Sequence, residues 1–172
     1  NKIQFILNKD AVLNNNLKAN KILTRSQFEN FIKESEKTFI KEKIILLLSY
    51  KHRSKEEIIQ RLKKKFHLDN IIQIVSEMEE LGYIDDKRFA REYAKHLIKV
   101  KMLGKRAVYS KFFTHKISKE VLDPLIEQLY NIHPPDETIL AILTKRKYHE
   151  NLHVKARHKI IRHLKQKGFL WD

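Results

Sequence analysis

The chain has 172 residues, with 36 Lys and Arg against 21 Asp and Glu, 42% hydrophobic residues, three Gly, three Pro and no Cys. That apolar share supports a core and excludes a disordered chain, the shortage of Gly and Pro leaves too few turns for a many-stranded β-protein, and the lack of Cys excludes disulfides and thiolate metal sites. The formal charge of +15 calls for an anionic partner, nucleic acid or an acidic protein surface, while the longest apolar run, Ile44 to Leu48, is far too short to cross a bilayer. A cytoplasmic location is expected from the absence of Cys and of a signal peptide, since Lys2 precedes only a brief apolar stretch. Asn1 replaces a starting Met and the chain stops at Leu170-Trp171-Asp172, so truncation at both ends is expected.

Residues 1–35 read as a small N-terminal extension. Lys2 to Leu7 suits a short strand, and Asn8 to Asn20 is Asn-rich and turn-prone. Thr24 is placed as a helix N-cap, with Gln27 at the capping-box position and Phe28, Phe31 and Ile32 as an apolar stripe.

From residue 36 the pattern repeats about every 50 residues. Ile58, Val108 and Ile160 line up, as do Leu62, Phe112 and Leu164, then Leu68, Ile117 and Phe169. Each line marks a middle helix and the turn after it. Apolar-periodic segments lie upstream (Phe39 to Leu48, Phe89 to Leu97, Ile139 to Leu143) and downstream (Ile71 to Leu81, Val121 to Leu129). The expected fold is all-α: tandem three-helix, helix-turn-helix-like repeats at 36–84, 85–133 and 134–172, the last incomplete. Boundary signals agree. Ser54 with Glu57 forms a capping box; Asp69 and Ser118 precede third helices; Gly82 and then Asp85-Asp86 separate helices; Gly104 marks a turn; Pro134-Pro135 separates the last two units. Three small helices bury little alone, so stacked units predict an elongated, curved array with a long concave face.

Several stretches match a known family. The run Leu46-Leu47-Leu48-Ser49-Tyr50-Lys51-His52-Arg53-Ser54, then Glu57-Ile58 and Leu62, resembles the "Arg-Ser, two residues, Glu-Leu" signature of RecX proteins, with Ile58 for Leu. Val75, Leu81-Gly82-Tyr83-Ile84-Asp85-Asp86, Phe89-Ala90 and Tyr93 are similar to the family's "Gly-Tyr-Ile-Asp-Asp, two residues, Phe-Ala" stretch. Gly104-Lys105-Arg106 and Lys167-Gly168-Phe169 resemble two further steps, and His115-Lys116-Ile117 stands where the family usually has Lys-Gly-Ile. The resemblance covers about residues 36–170. It implies a non-catalytic regulator that lies along the groove of the RecA–DNA filament and suppresses strand exchange, ATP hydrolysis and coprotease activity.

The basic residues cluster. Residues 99–119 hold Lys99, Lys101, Lys105, Arg106, Lys111, Lys116 and Lys119 with no acid; residues 145–167 hold Lys145, Arg146, Lys147, Lys155, Arg157, Lys159, Arg162, Lys165 and Lys167 against Glu150 alone. Such runs neutralise phosphates and release counterions. The competing reading is a solvated helix face, but ordinary exposed helices interleave both signs. Around Arg61 and Lys63 to Lys65, Glu56 and Glu57 neutralise part of the charge. These segments, together with Arg53, form the expected surface for RecA and for single- or double-stranded DNA, bound electrostatically with weak sequence preference by a monomer.

Tyr109, Phe112 and Phe113 interleave with the first segment. Phe112 is assigned to the core as a repeat anchor, while Tyr109 and Tyr148 stay open between packing and base stacking. His149, His153, His158 and His163 suggest a metal site, with His149 and His153 on one helical face, but no Cys or Asp completes a ligand set. Asp85-Asp86 are read as helix-start residues rather than catalytic carboxylates. With no P-loop, dinucleotide fingerprint or nucleophile motif, no enzyme, cofactor or metal is expected. The alternative is an autonomous DNA-binding protein, either a transcriptional regulator or a nonspecific architectural one.

Overall fold

The computed structural model describes residues 7–14, 17–18 and 20–169, and among these the regular structure is helical. The chain divides into two compact units, residues 1–85 and 86–172.

Unit 1 is built on helix α2, Arg25–Tyr50, which opens with the predicted capping box: the Thr24 hydroxyl accepts from the Gln27 N–H, and the Gln27 side chain reaches back to the Thr24 N–H. The helix runs unbroken through residue 35, so the expected division between an extension and a first repeat falls inside a continuous helix. Ile40 and Ile44, one turn apart, bury completely against α3 (Lys55–Leu62) and α4 (Leu68–Glu80). Ile58 and Leu62 answer from α3, and Ile71, Ile74, Val75 and Met78 from α4 at the i, i+3, i+4, i+7 spacing of one helical face. Each such burial contributes roughly 1.5–3 kcal/mol.

Several expectations for this unit need correction. Residues 2–6 of the proposed strand lie outside the described residues, and Leu7 is not in a strand. The Asn-rich stretch contains a helix, α1 (Lys9–Asn14), started by Asn8, whose side-chain oxygen accepts from the Asp10 N–H. Asn8 also ties the segment to α2: its N–H donates to the Ser35 hydroxyl at 2.6 Å and its amide to Glu42 at 2.9 Å. Asp69 lies inside the first turn of α4, not before it. The free N–H at that helix start is met from across the unit, where the Glu36 carboxylate accepts from the His67 backbone and ring and from the Asn70 amide. Leu68 is exposed despite its place in the repeat alignment, and Phe66 packs against the core instead.

Gly82 ends α4 with φ +75°; its N–H donates to Glu79 and that of Tyr83 to Met78, the paired bonds of a Schellman motif. The turn sends Ile84 back into the core.

Unit 2 begins with α5 (Asp86–Lys95), which continues as a π-helical turn over His96–Val100 with Leu97 and Ile98 inside. Then come α6 (Lys105–Phe112), a 3₁₀ turn over Phe113–His115, α7 (Lys119–Ile132), α8 (Pro135–Lys145) and α9 (Val154–Gln166). Phe89, Ala90 and Ala94 of α5, Val108 and Phe112 of α6, and Leu122, Ile126 and Leu129 of α7 share one core. Phe112 is 1% exposed, as its anchor position predicts. Tyr93 stacks on Phe89 and meets Phe112 edge-on. The stretch most characteristic in the sequence, Gly82 to Tyr93, is therefore architectural: a helix stop, a core plug and an aromatic pair of buried Phe89 and half-buried Tyr93. Ser118 occupies the N-cap position of α7, but its hydroxyl makes no capping bond to the helix. Lys116 keeps the left-handed conformation (φ 50°, ψ 34°) that the missing glycine would adopt more easily.

The end of α9 is strapped to the start of α6 by backbone. Gly104 N–H donates to the Lys167 carbonyl at 2.8 Å, and a Cβ on Gly104 would stand 2.5 Å from the Gly168 oxygen. A Cβ on Gly168 would meet Ala107 N at 2.4 Å. Gly104 is required for this close approach rather than for a left-handed turn, since its φ is −79°. Gly168 needs both, with φ +83°. The strap seats Ile160, Leu164 and Phe169 against Ile142 and Met102.

Candidate nucleic-acid interface

The two units differ in how their charges are arranged. Residues 1–85 carry 16 Lys and Arg against 12 Asp and Glu, and residues 86–172 carry 20 against 9, so +11 of the net +15 sits in unit 2. In unit 1 the cations meet carboxylates: Lys41 with Glu77, Lys55 with Glu79, Arg61 with Glu57, Lys37 with Glu34, Arg25 with Glu29. In unit 2, Arg88 pairs with Glu92.

Arg53 is the clearest correction to the expected interface. Its side chain is 8% exposed, and its guanidinium donates to the Leu47 carbonyl and to Glu57. It locks the end of α2 onto α3 and presents no basic surface. Burial alone raises the Glu57 carboxyl, but Lys51, Arg53 and Arg61 together hold it below the usual carboxylate range.

The other expected residues lie on unit 2 and are exposed. Lys99 is on the π-helical turn and Lys101 just beyond it. Lys105 and Arg106 occupy the first turn of α6, which holds no acid. Cations there oppose the helix dipole, so this end attracts anions more strongly than its side chains alone would. Lys111 stands in the last turn of α6. Lys145, Arg146 and Lys147 follow one another at the end of α8, where Lys147 takes φ 54° and completes a second Schellman turn through the Tyr148 N–H to Leu143. Lys155, Lys159 and Arg162 fall on one face of α9 at i, i+4, i+7, with Lys165 next to Arg162. Arg157 is turned aside, donating to the Leu152 carbonyl at 3.1 Å.

Of the aromatic candidates, Phe113 is 86% exposed. It borders an open cleft of about 620 Å³ lined also by Tyr109, Phe112, Lys116, Ile117 and Lys119. Tyr109 donates its hydroxyl to Asp123 at 2.7 Å; burial first, then that carboxylate, pushes its pKa up to about 12. The arrangement offers a basic rim and an aromatic floor, the pair of features that single-stranded nucleic acid uses. The expected helical face for His149 and His153 does not form, because both lie between α8 and α9; His153 Nδ1 instead accepts from Lys155 N–H at the start of α9.

The chain is 29% identical, over 73% of its length, to a protein named Regulatory protein RecX from Finegoldia magna, and 27% identical over 98% of its length to one of the same name from Listeria monocytogenes. It spans 63% of the length of each. A crystal structure of regulatory protein RecX superposes with a TM-score of 0.75 at 19% identity, covering 98% of this chain and 86% of that one. A crystal structure of RecX from Lactobacillus salivarius gives 0.67 at 21% identity, covering 80% and 90%. No family model matches the sequence.

Proposed function

The chain belongs to the RecX family, and on that premise we propose that it binds the RecA–DNA filament and lowers its recombinase, ATPase and coprotease activity without chemistry of its own. The observation that carries the reading is the net charge of +11 on unit 2, because a filament of DNA sheathed in protein offers phosphate and acidic surface together. Lys99, Lys101, Lys105, Arg106 and Lys111 on one stretch, and Lys145 to Lys147 with the α9 cations on the other, are the contact residues. The bound protein then blocks duplex DNA and client proteins from the groove. RecA as partner makes the site of action the cytoplasm, and each copy acts as a monomer within a tandem helical array.

Phe113 favours a second reading, an autonomous DNA-binding protein that needs no RecA. Binding to one labelled single strand, bare and RecA-coated, separates the two. A filament modulator binds the coated strand more tightly, with log affinity falling linearly against log salt, and reversing Lys105 and Arg106 to Glu reduces that slope by about 2. Equal binding to bare strands, or marked preference for one duplex sequence, overturns the filament reading in favour of the second.

A further inference from the structure

We propose that the cleft between the ends of α8 and α9 is a phosphate site, which takes one backbone phosphate of a nucleic-acid strand on Arg146, Lys145 and Lys167. The inference rests on the reading that unit 2 meets DNA, and it specifies where.

The glycine strap creates the site. Gly104 and Gly168 are bare enough for backbone contact, which draws the end of α9 onto the 101–104 loop. Lys167, the C-cap of α9, then lies with its ammonium donating to the Lys101 carbonyl. The cleft measures about 410 Å³ and is lined by Met102, Ile142, Lys145, Arg146, His163 and Lys167, with no carboxylate among them. Met102 and Ile142 make its floor apolar.

Lys145, Arg146, His163 and Lys167 thus line one cleft, and the Lys101 charge acts on Lys167 beside it. The protein registers the cost. The Lys167 amine is held below its ordinary range by burial first, then by Arg146, Lys145 and Lys101; His163 is lowered by burial, then by Arg146 and Lys167. A solvated basic patch avoids this expense by splaying its side chains into water. Here one ammonium donates to a backbone carbonyl beside the cleft. An anion reverses the balance, replacing mutual repulsion with charge-assisted hydrogen bonds above a low-dielectric floor. A phosphate fits better than a protein carboxylate, because its several oxygens can be shared between the Arg146 fork and two ammonium groups.

His163 is a built-in reporter. In the full-length chain with labelled histidine, its NMR signal, assigned with His163→Gln, is followed while an oligo-dT strand, inorganic phosphate or an acidic peptide is added. The expected result is that the strand raises the His163 titration midpoint, and that inorganic phosphate does the same at higher concentration. Arg146→Gln should abolish the response and weaken strand binding about five- to tenfold. Lys159→Gln removes the same charge outside the cleft and should leave the response intact. A strand that binds without moving His163, or equal behaviour of the two variants, overturns the site while leaving DNA binding by unit 2 in place. A response to inorganic phosphate with no strand binding overturns the strand as the source and, with it, DNA contact by unit 2. A stronger response to the acidic peptide than to the strand replaces phosphate with a protein partner.

Discussion

Unit 1 and unit 2 use the same kinds of residue in opposite ways. In unit 1, cations serve the fold: Arg53 closes α2 onto α3, Lys41 and Lys55 reach α4, and Glu36 caps a helix 31 residues away. In unit 2, glycines hold the helices together at backbone distance, and 20 cations against 9 carboxylates leave a net +11. Cations and carboxylates are thus closer to balance in unit 1, which keeps a net +4, than in unit 2, which keeps +11. The formal net charge of the whole chain does not separate the two units.

The largest expected effect tests the glycine strap. Gly104→Ala places a Cβ 2.5 Å from a backbone oxygen that cannot rotate away, and should cost about 3 kcal/mol in the docking of α9. Hydrogen exchange of α9 amides reads it directly. Gly82→Ala, in unit 1, meets open space and should cost only the strain of its positive φ, about 1–2 kcal/mol. Equal costs at the two glycines would erase the distinction between them.

Next, Arg53→Ala should destabilise unit 1 by about 2 kcal/mol, less than the loss of a fully buried partner because Glu57 keeps 17% of its side chain exposed. Denaturant midpoints measure the loss. DNA affinity measured at fixed salt should not change, and a drop comparable to that from Lys105→Glu would return Arg53 to the interface.

Phe113→Ala should leave stability within about 0.5 kcal/mol, since the ring is 86% exposed, while weakening single-strand binding by about 1–3 kcal/mol for one lost stack. Anisotropy titration with an oligo-dT strand gives the number. A stability loss without a binding loss would make Phe113 a packing residue.

The smallest effect is in pH. Glu36 and Glu57 are raised by burial, but the bonds from His67 and Asn70 on one, and the cations around the other, lower them net below 4.5. Their contribution is complete above about pH 4.5 and is lost as pH falls through the lower folded values. His163 in unit 2 is depressed from 6.5, so the folded state takes up its proton later than the unfolded one and stability already declines as pH falls below that value. Acid should therefore weaken unit 2 before unit 1, as followed by hydrogen exchange. The reverse order would contradict the assignment of charge strain to unit 2.

Much of the fold is legible in the sequence because its signals are local. Thr24 with Gln27, and the anchors Ile58, Leu62, Val108, Phe112, Ile160 and Leu164, need only neighbours within a turn or two. Several of the failures are non-local. The burial of Arg53 depends on the end of α2 and on Glu57 arriving together. The cap on α4 comes from Glu36, so Asp69, the nearer candidate, was the wrong choice. The strap joins Gly104 and Gly168 across 64 positions, and both looked like turn glycines. The basic segments were visible as runs, but the convergence of Lys167 and His163 on Arg146 follows from the strap and has no signature along the chain. The one available hint was the Gly-Phe step, which places Lys167 at a helix end.

The most direct test of the central claim is DNA-dependent ATP hydrolysis by RecA, with single-stranded DNA in excess and this protein titrated in, alongside the Lys105→Glu, Arg106→Glu double variant. The account predicts that the unaltered protein suppresses hydrolysis at less than one copy per RecA and that the folded double variant does not. Equal suppression by both, or none by the unaltered protein while it still binds DNA, would contradict it.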